Sequence, residues 1–297
     1  MSSGLGIALL LLATGDSPVA LEGLAGVGGG YEGNVTLAAA GQPTSGSAVA
    51  AAWAGLGVGW DPGRETHLSA GLRYDGALYP GATDLNRNAG WVDLLWIQEI
   101  WEPLAVIVAA AGGWSWYGDP ARSGPGLLLR GSLRVKPLDW LAVRAGYAYA
   151  QRWAEDEAYS TSSSRVFGSV EGRVAAGVYL GLGYSWQTGD QTFYASVPST
   201  PALASPGAAG PAVGAGPGGG GPGAGQGTGG STHQGSGVFE NLVPYRASTT
   251  DSTLTPTFEA GVWEGLYLFA SYSYTWGSSL EGTYTAQFAL GGAGYRF

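Results

Sequence analysis

The chain has 297 residues, 54 of them Gly, with 12 Trp and 16 Tyr but only 12% charged residues. No apolar run reaches the roughly eighteen residues a membrane-spanning helix needs, which argues against a helical membrane protein. The net charge of −9 and pI near 4.6 argue against a nucleic-acid binder, since phosphate recognition needs a basic face. With no Cys there is neither a thiolate metal site nor a thiol nucleophile; that absence suits an exported chain and a cytosolic one alike.

Residues 1–20 read as a secretory signal. Gly4 to Ala13 has the length of an apolar signal core, and Ala13, Gly15 and Ala20 offer small residues for cleavage. The usual basic start is missing, the first cation being Arg64, and an apolar first strand is the rival reading. Residues 21–297 then repeat one unit: about ten alternating residues, a tight turn, another ten, and a longer polar loop. The strands expected are 23–33, 49–60, 66–79, 89–101, 104–117, 126–136, 139–152, 164–174, 177–187, 252–263, 265–277 and 283–297. Their even number puts both chain ends on one side.

The connections sort by length. Around Asp61–Glu65, Trp101–Pro103, Lys136–Asp139, Ala175–Gly177 and Trp263–Gly265 they are short, at the end where the termini lie. At the other end, 34–48, 80–88, 153–163 and 188–251 are long, as expected for periplasmic turns and extracellular loops. Within the long loop 188–251, residues 198–237 are dominated by Gly, Pro, Ala, Ser and Thr. Such a segment buries too little apolar surface to offset its ordering entropy and is expected to be disordered. A linker between two domains is the alternative, but too few strands follow it to close a second barrel.

Soluble and membrane barrels both alternate, and they differ in which face is apolar. In 66–79, Leu68, Leu72, Tyr74 and Leu78 share one face while His67, Ser69, Arg73 and Asp75 share the other. In 126–136, Leu127, Leu129, Leu133 and Val135 oppose Arg130, Ser132, Arg134 and Lys136. In 164–174, Val166, Val170 and Val174 oppose Arg165, Ser169, Glu171 and Arg173. Aromatic residues gather near both rims, as they do at bilayer interfaces: Trp60, Trp101, Trp140, Trp263 and Phe297 near the short turns, and Trp91, Trp114, Trp116, Tyr117, Trp153, Trp186 and Trp276 toward the long loops. Trp53 and Trp96 fall between.

The last strand, Thr283 to Phe297, has Phe297 at its end and Tyr295 two before it. It resembles the terminal insertion signal of bacterial outer-membrane proteins. The resemblance covers residues 23–297 in pattern only. It implies an all-β, transmembrane, antiparallel up-and-down β-barrel of about twelve strands in the outer membrane, in contact with outer-membrane lipid and lipopolysaccharide and inserted by dedicated barrel-insertion machinery. Tyr284, Phe288 and Leu290 are out of phase with Ala293, Tyr295 and Phe297, and a bulge near Gly291–Gly292 would restore the phase.

Candidate chemistry is sparse. His233 falls in the Gly/Pro-rich segment. His67 and Ser69 share a strand face, at a spacing that resembles the outer-membrane phospholipase pattern, yet no partner Asn or Asp is identified and a polar lumen wall is the plainer reading. Gly26–Gly30 reads as room for close packing rather than a phosphate loop. No enzyme, metal site or cofactor is therefore expected. The candidate site is the set of charged residues facing the lumen: Arg73, Asp75, Asp93, Glu99, Arg130, Arg134, Arg144, Arg152, Arg165, Glu171, Arg173 and Glu259. A cationic excess there would favour small anions, whereas carboxylate pairing would lock the lumen. Two functions follow: a porin-like channel for small hydrophilic, anionic solutes, or a non-conducting barrel that displays its loops for surface contacts.

Overall fold

The computed structural model describes residues 19–34, 45–63, 65–196, 242–279 and 282–297. Alternating apolar and polar residues rich in Tyr, Trp, Val and Thr fit the pleat of a strand, and twelve strands run through the described residues. They are β1 (Val19–Glu32), β2 (Ser47–Gly63), β3 (Thr66–Leu78), β4 (Arg87–Trp101), β5 (Leu104–Tyr117), β6 (Gly124–Leu138), β7 (Leu141–Arg152), β8 (Thr161–Ala175), β9 (Val178–Ser196), β10 (Leu242–Trp263), β11 (Leu266–Ser279) and β12 (Gly282–Arg296). Each pairs antiparallel with its chain neighbours, and β12 pairs with β1, so the sheet closes into a barrel. No helix among the described residues is long and apolar enough to cross a membrane, which says nothing against crossing by strands.

The apolar face points outward. Leu72 is 67% exposed, Val27 62% and Leu56 53%, whereas Arg73, between Leu72 and Tyr74, turns to the interior and is only partly exposed. At the bilayer midplane an outward Arg or Lys would cost about 2–4 kcal/mol, so this segregation fixes which way every strand faces.

The closing seam is dense in glycine. Gly26 pairs with Gly294, Gly28 with Gly292 and Gly29 with Gly291. On the inside, the Trp53 ring lies against Gly26, and the Phe269 ring edge would stand 3.1 Å from a Cβ on Gly28. These glycines form a low floor on which aromatic rings can rest. Two of the short turns place glycine where the backbone turns left-handed, Gly177 at φ 72° and Gly265 at φ 73°.

Two expectations change. β12 pairs with β1 and β11 without a register shift, so no bulge forms at Gly291–Gly292. Instead Tyr284 (2% exposed) and Leu290 (3%) point inward, Tyr284 donating its hydroxyl to the buried Asp251 carboxylate and Leu290 lying on the apolar inner face beside the seam. The loop drawn over 188–251 also gives way at both ends to paired strand, Leu242 to Ser196 onward, because the ladder continues past the barrel rim. Residues 198–237 lie outside the described residues, as do those of the expected signal segment 1–20 apart from Val19 and Ala20, which belong to β1 and pair with Trp60 and Gly59 of β2.

A side chain added at the seam tests its closure. Gly292→Val would drive a Cβ into the Val27 carbonyl oxygen and to 2.6 Å from the Gly28 Cα, costing about 1–3 kcal/mol by overpacking. The folded, heat-modifiable band on a cold gel is expected to fall sharply in yield. Gly131→Ala, with no atom within 4 Å of the added Cβ, is expected to fold as the parent does.

Candidate functional site: the charged wall of the lumen

Three adjacent strands carry most of the interior cations. On the inner face of β6–β8 stand Arg130, Arg134, Lys136, Arg144, Arg152, Arg165 and Arg173, against Glu171 as the sole carboxylate. Arg134 is directly opposite Arg144 across the β6–β7 ladder. Arg130 and Arg165 flank Ala148 from either side, so they lie in one cross-strand row. Like charges placed opposite one another destabilise a sheet by roughly 0.2–1 kcal/mol per pair.

The neutralising contacts are few. Arg134 Nη2 reaches Glu99 at 4.0 Å, with Glu99 more than half exposed, which is worth little. Arg130 lies over the Phe167 ring at 4.2 Å, and Arg144 Nε donates to Ser132 Oγ at 3.0 Å. Arg152 Nη1 donates to the Tyr117 hydroxyl and Nη2 to the Tyr159 carbonyl, both at 2.7 Å. Among the described residues, no carboxylate lies within ion-pairing distance of Arg130, Arg144, Arg165 or Arg173.

Two arginines elsewhere on the inner wall, Arg73 and Arg296, are neutralised by carboxylates. Arg73 Nη1 meets Asp75 at 2.7 Å, and its Nε and Nη2 clasp Asp93 at 2.9 and 3.3 Å, while the guanidinium lies 5.6 Å from the Trp91 ring centroid. Glu259 is held by both terminal nitrogens of Arg296, at 3.0 and 2.9 Å. Arg296 escapes the sequence reading because it sits inside the terminal signal, although its parity, opposite to Tyr295, places it inside.

No family model matches the chain, and no curated protein matches it. Solved structures do. The COG4313 outer membrane channel from Pseudomonas putida F1 aligns over 97% of this chain and 100% of its own, at 7% identity and a TM-score of 0.56. The NanC porin (93% and 99%, 10% identity, TM-score 0.46) and the KdgM porin in complex with disordered oligogalacturonate (93% and 99%, 8%, 0.44) share it only in outline. The fold is that of a bacterial outer-membrane β-barrel.

For such a barrel the aromatic belts can be placed residue by residue. Trp60, Trp101, Trp140, Trp263 and Phe297 are exposed near the short turns, and Trp114, Trp116, Trp153, Trp186 and Trp276 are exposed toward the loops. Trp91 and Tyr117 leave the outer belt: they face the lumen, where Arg73 and Arg152 meet their rings. Trp53, buried at 7%, is also interior. The interior parity of these residues was visible in the sequence, but their aromatic character masked it.

His67 does not pair with Ser69. Its Nδ1 lies 2.9 Å from Asp61 Oδ1 and its Nε2 3.7 Å from Glu22 Oε1, so the ring is held between two carboxylates at the short-turn rim.

The mouth is crossed by part of the barrel itself. β9 and β10 rise past the rim as a paired ribbon, and Tyr194, near the end of β9, packs against Ala82, as do Tyr79 and Leu85. Ala82 belongs to the β3–β4 loop, which rises from the opposite wall. Tyr194 and Tyr159 both face the Arg122 guanidinium, at 5.3 and 4.6 Å. Thr192 Oγ1 donates to the Ala158 carbonyl at 2.9 Å, and Arg246 meets Glu157 at 3.4 Å. Burial raises the Tyr159 phenol to about 12, with nearby Asp119 adding to the rise against the opposing pull of Arg122. The neutral ring that packs here is therefore favoured below pH 10, and that contribution is lost as pH climbs from 10 through about 12.

Removing the cation from this contact should free the ribbon. Cation–π contacts of this kind are worth about 0.5–2 kcal/mol each, so Arg122→Ala is expected to speed amide exchange across Gln191–Tyr194 by about fivefold or more. Unchanged exchange there would show that the ribbon is held without Arg122.

Proposed function

We propose that this protein is an outer-membrane channel for small anionic solutes, recognised by the arginines of β6–β8. The observation that carries the reading is the contrast in charge pairing. Arg73 and Arg296 are matched to carboxylates, whereas Arg130, Arg144, Arg165 and Arg173 are not, in a chain whose net charge is −9. A guanidinium in a narrow lumen offers a fixed fork of donors to a passing carboxylate, sulfonate or phosphate. Anions are admitted in this way where a ring or track of cations lines a pore. His67, bonded to carboxylates rather than to a nucleophile, supports a non-enzymatic role.

The same reading supplies partners. Residues 1–20 contain the export signal of a Gram-negative cell, its cleaved part ending ahead of Val19, where β1 begins, and lipid with lipopolysaccharide wets the outer belt. Barrel-insertion machinery reads the terminal strand, where Tyr295 (47% exposed) and Phe297 (63%) face outward with rings stacked at 6.2 Å.

A non-conducting display barrel remains a second reading because the β9–β10 ribbon lies over the mouth. Planar-bilayer recordings separate the two. Discrete steps with anion preference support the channel, and replacing Arg130, Arg144 and Arg165 together by Gln is expected to lower the anion-to-cation permeability ratio by about threefold or more. No current, either from the parent or from a variant in which Tyr194→Gly and Arg122→Ala release the ribbon, would favour the display barrel.

A further inference from the structure

The lumen wall has two opposed chemical faces. In a closed ring of twelve strands, β12, β1 and β2 stand across from β6, β7 and β8. The charged residues on the inner faces of those first three strands lie only toward their ends: Glu22, Glu32, Asp61 and Arg296. Between those ends the inner surface is Leu24, Gly26, Gly28, Val49, Trp53 and Leu290. Phe269, from neighbouring β11, meets Trp53 edge to face at 5.2 Å between centroids and 69° between planes.

The glycine floor is what sets this face back. Because the Trp53 ring occupies the space a Cβ on Gly26 would need, and the Phe269 ring does the same at Gly292, both rings lie against the wall instead of projecting across it. Trp53 and Arg130 each sit near the middle of their strands. An apolar, aromatic wall therefore looks across the interior at a bank of arginines that lack carboxylate partners.

A purely hydrophilic anion would satisfy only half of such a wall. From this juxtaposition we infer that the preferred solute is an amphipathic anion: a flat apolar or aromatic body with a carboxylate or sulfonate at one end. The body lies along Trp53 and Phe269, displacing water from apolar surface. The anionic end takes the guanidinium forks of Arg130, Arg144 and Arg165. This rests on the anion-channel reading and narrows it to a solute class.

The test uses the full-length barrel with naphthalenesulfonate, gluconate and neutral naphthol as competitors of the chloride current. Naphthalenesulfonate is expected to block at about tenfold lower concentration than gluconate, as one added aromatic contact implies, with naphthol weaker than the sulfonate. The Trp53→Ser, Phe269→Ser double variant, with folding checked by heat-modifiable mobility, should lose that advantage, while Trp53→Phe alone should keep it. Anion-selective current with equal block by naphthalenesulfonate and gluconate overturns the amphipathic solute and leaves the channel standing. If no current flows, fluorescence titration of the detergent-folded barrel decides. Naphthalenesulfonate binding that is lost in the double variant upholds the two-faced site and overturns conduction, and absence of both current and binding overturns both.

Discussion

Lipid offers no hydrogen-bond partner to a strand edge, and every other feature of this molecule follows from that. An open sheet in hydrocarbon would leave a row of unpaired N–H and C=O groups, each costing several kcal/mol. The chain answers by joining its last strand to its first, down to reciprocal bonds between the Gly23 and Phe297 backbones at 2.9 and 3.0 Å. Closure then removes all freedom about facing. With an outside that must be apolar, whatever alternates with Leu72, Leu129, Leu133 and Val166 must look inward, and that is how the arginines come to share one interior.

The seam shows how closure and interior chemistry are coupled. Bulky residues on both sides of the β1–β12 pairing would hold the strands apart or fill the lumen. Glycine at 26, 28, 291, 292 and 294 solves both, since strands can approach and aromatic rings from β2 and β11 can lie flat above the gap. The cost is weak intrinsic strand preference at these positions, offset by the packing of Trp53 and Phe269 over them. The residues that close the wall thus also give one side of the lumen its apolar character.

The strand plan was legible because period-two alternation is local, and a single sequence carries it: β5 and the edges of its neighbours follow directly from the positions of Val, Leu, Trp and Tyr. What local pattern could not reveal was the chemistry of the inner face on strands that are apolar on both sides. Aromatic preference for the bilayer interface sends Trp91 and Tyr117 to the outer belt and an aqueous lumen calls for a bulge at Tyr284 and Leu290, whereas all four side chains line the interior. The ribbon beyond the rim was hidden for another reason. Gln187–Ser196 and Leu242–Asp251 gain their strand character from pairing with each other, a contact between segments separated by the long Gly/Pro-rich stretch. Partner choice had the same limit: that Arg73 has two carboxylates and Arg144 none depends on register across strands, which composition does not encode.

That difference in pairing weighs between two accounts of the interior charge. If arginines were present only to lock strands together, the arrangement at Arg73 and Arg296 would be the pattern, with a carboxylate on the same strand or no more than two strands away at each site. The β6–β8 bank departs from it. Arg134 faces Arg144 across the ladder, Arg130 rests on an aromatic ring, and Glu171, the one acid on these strands, forms no ion pair with any of them. Such an arrangement gives up cross-strand stability that a single Arg-to-Glu exchange could restore, and a wall kept solely for structure has no reason to forgo it. A mobile counter-charge arriving from solution supplies the missing term only while it is bound, which makes the bank strong for binding and poor for bracing.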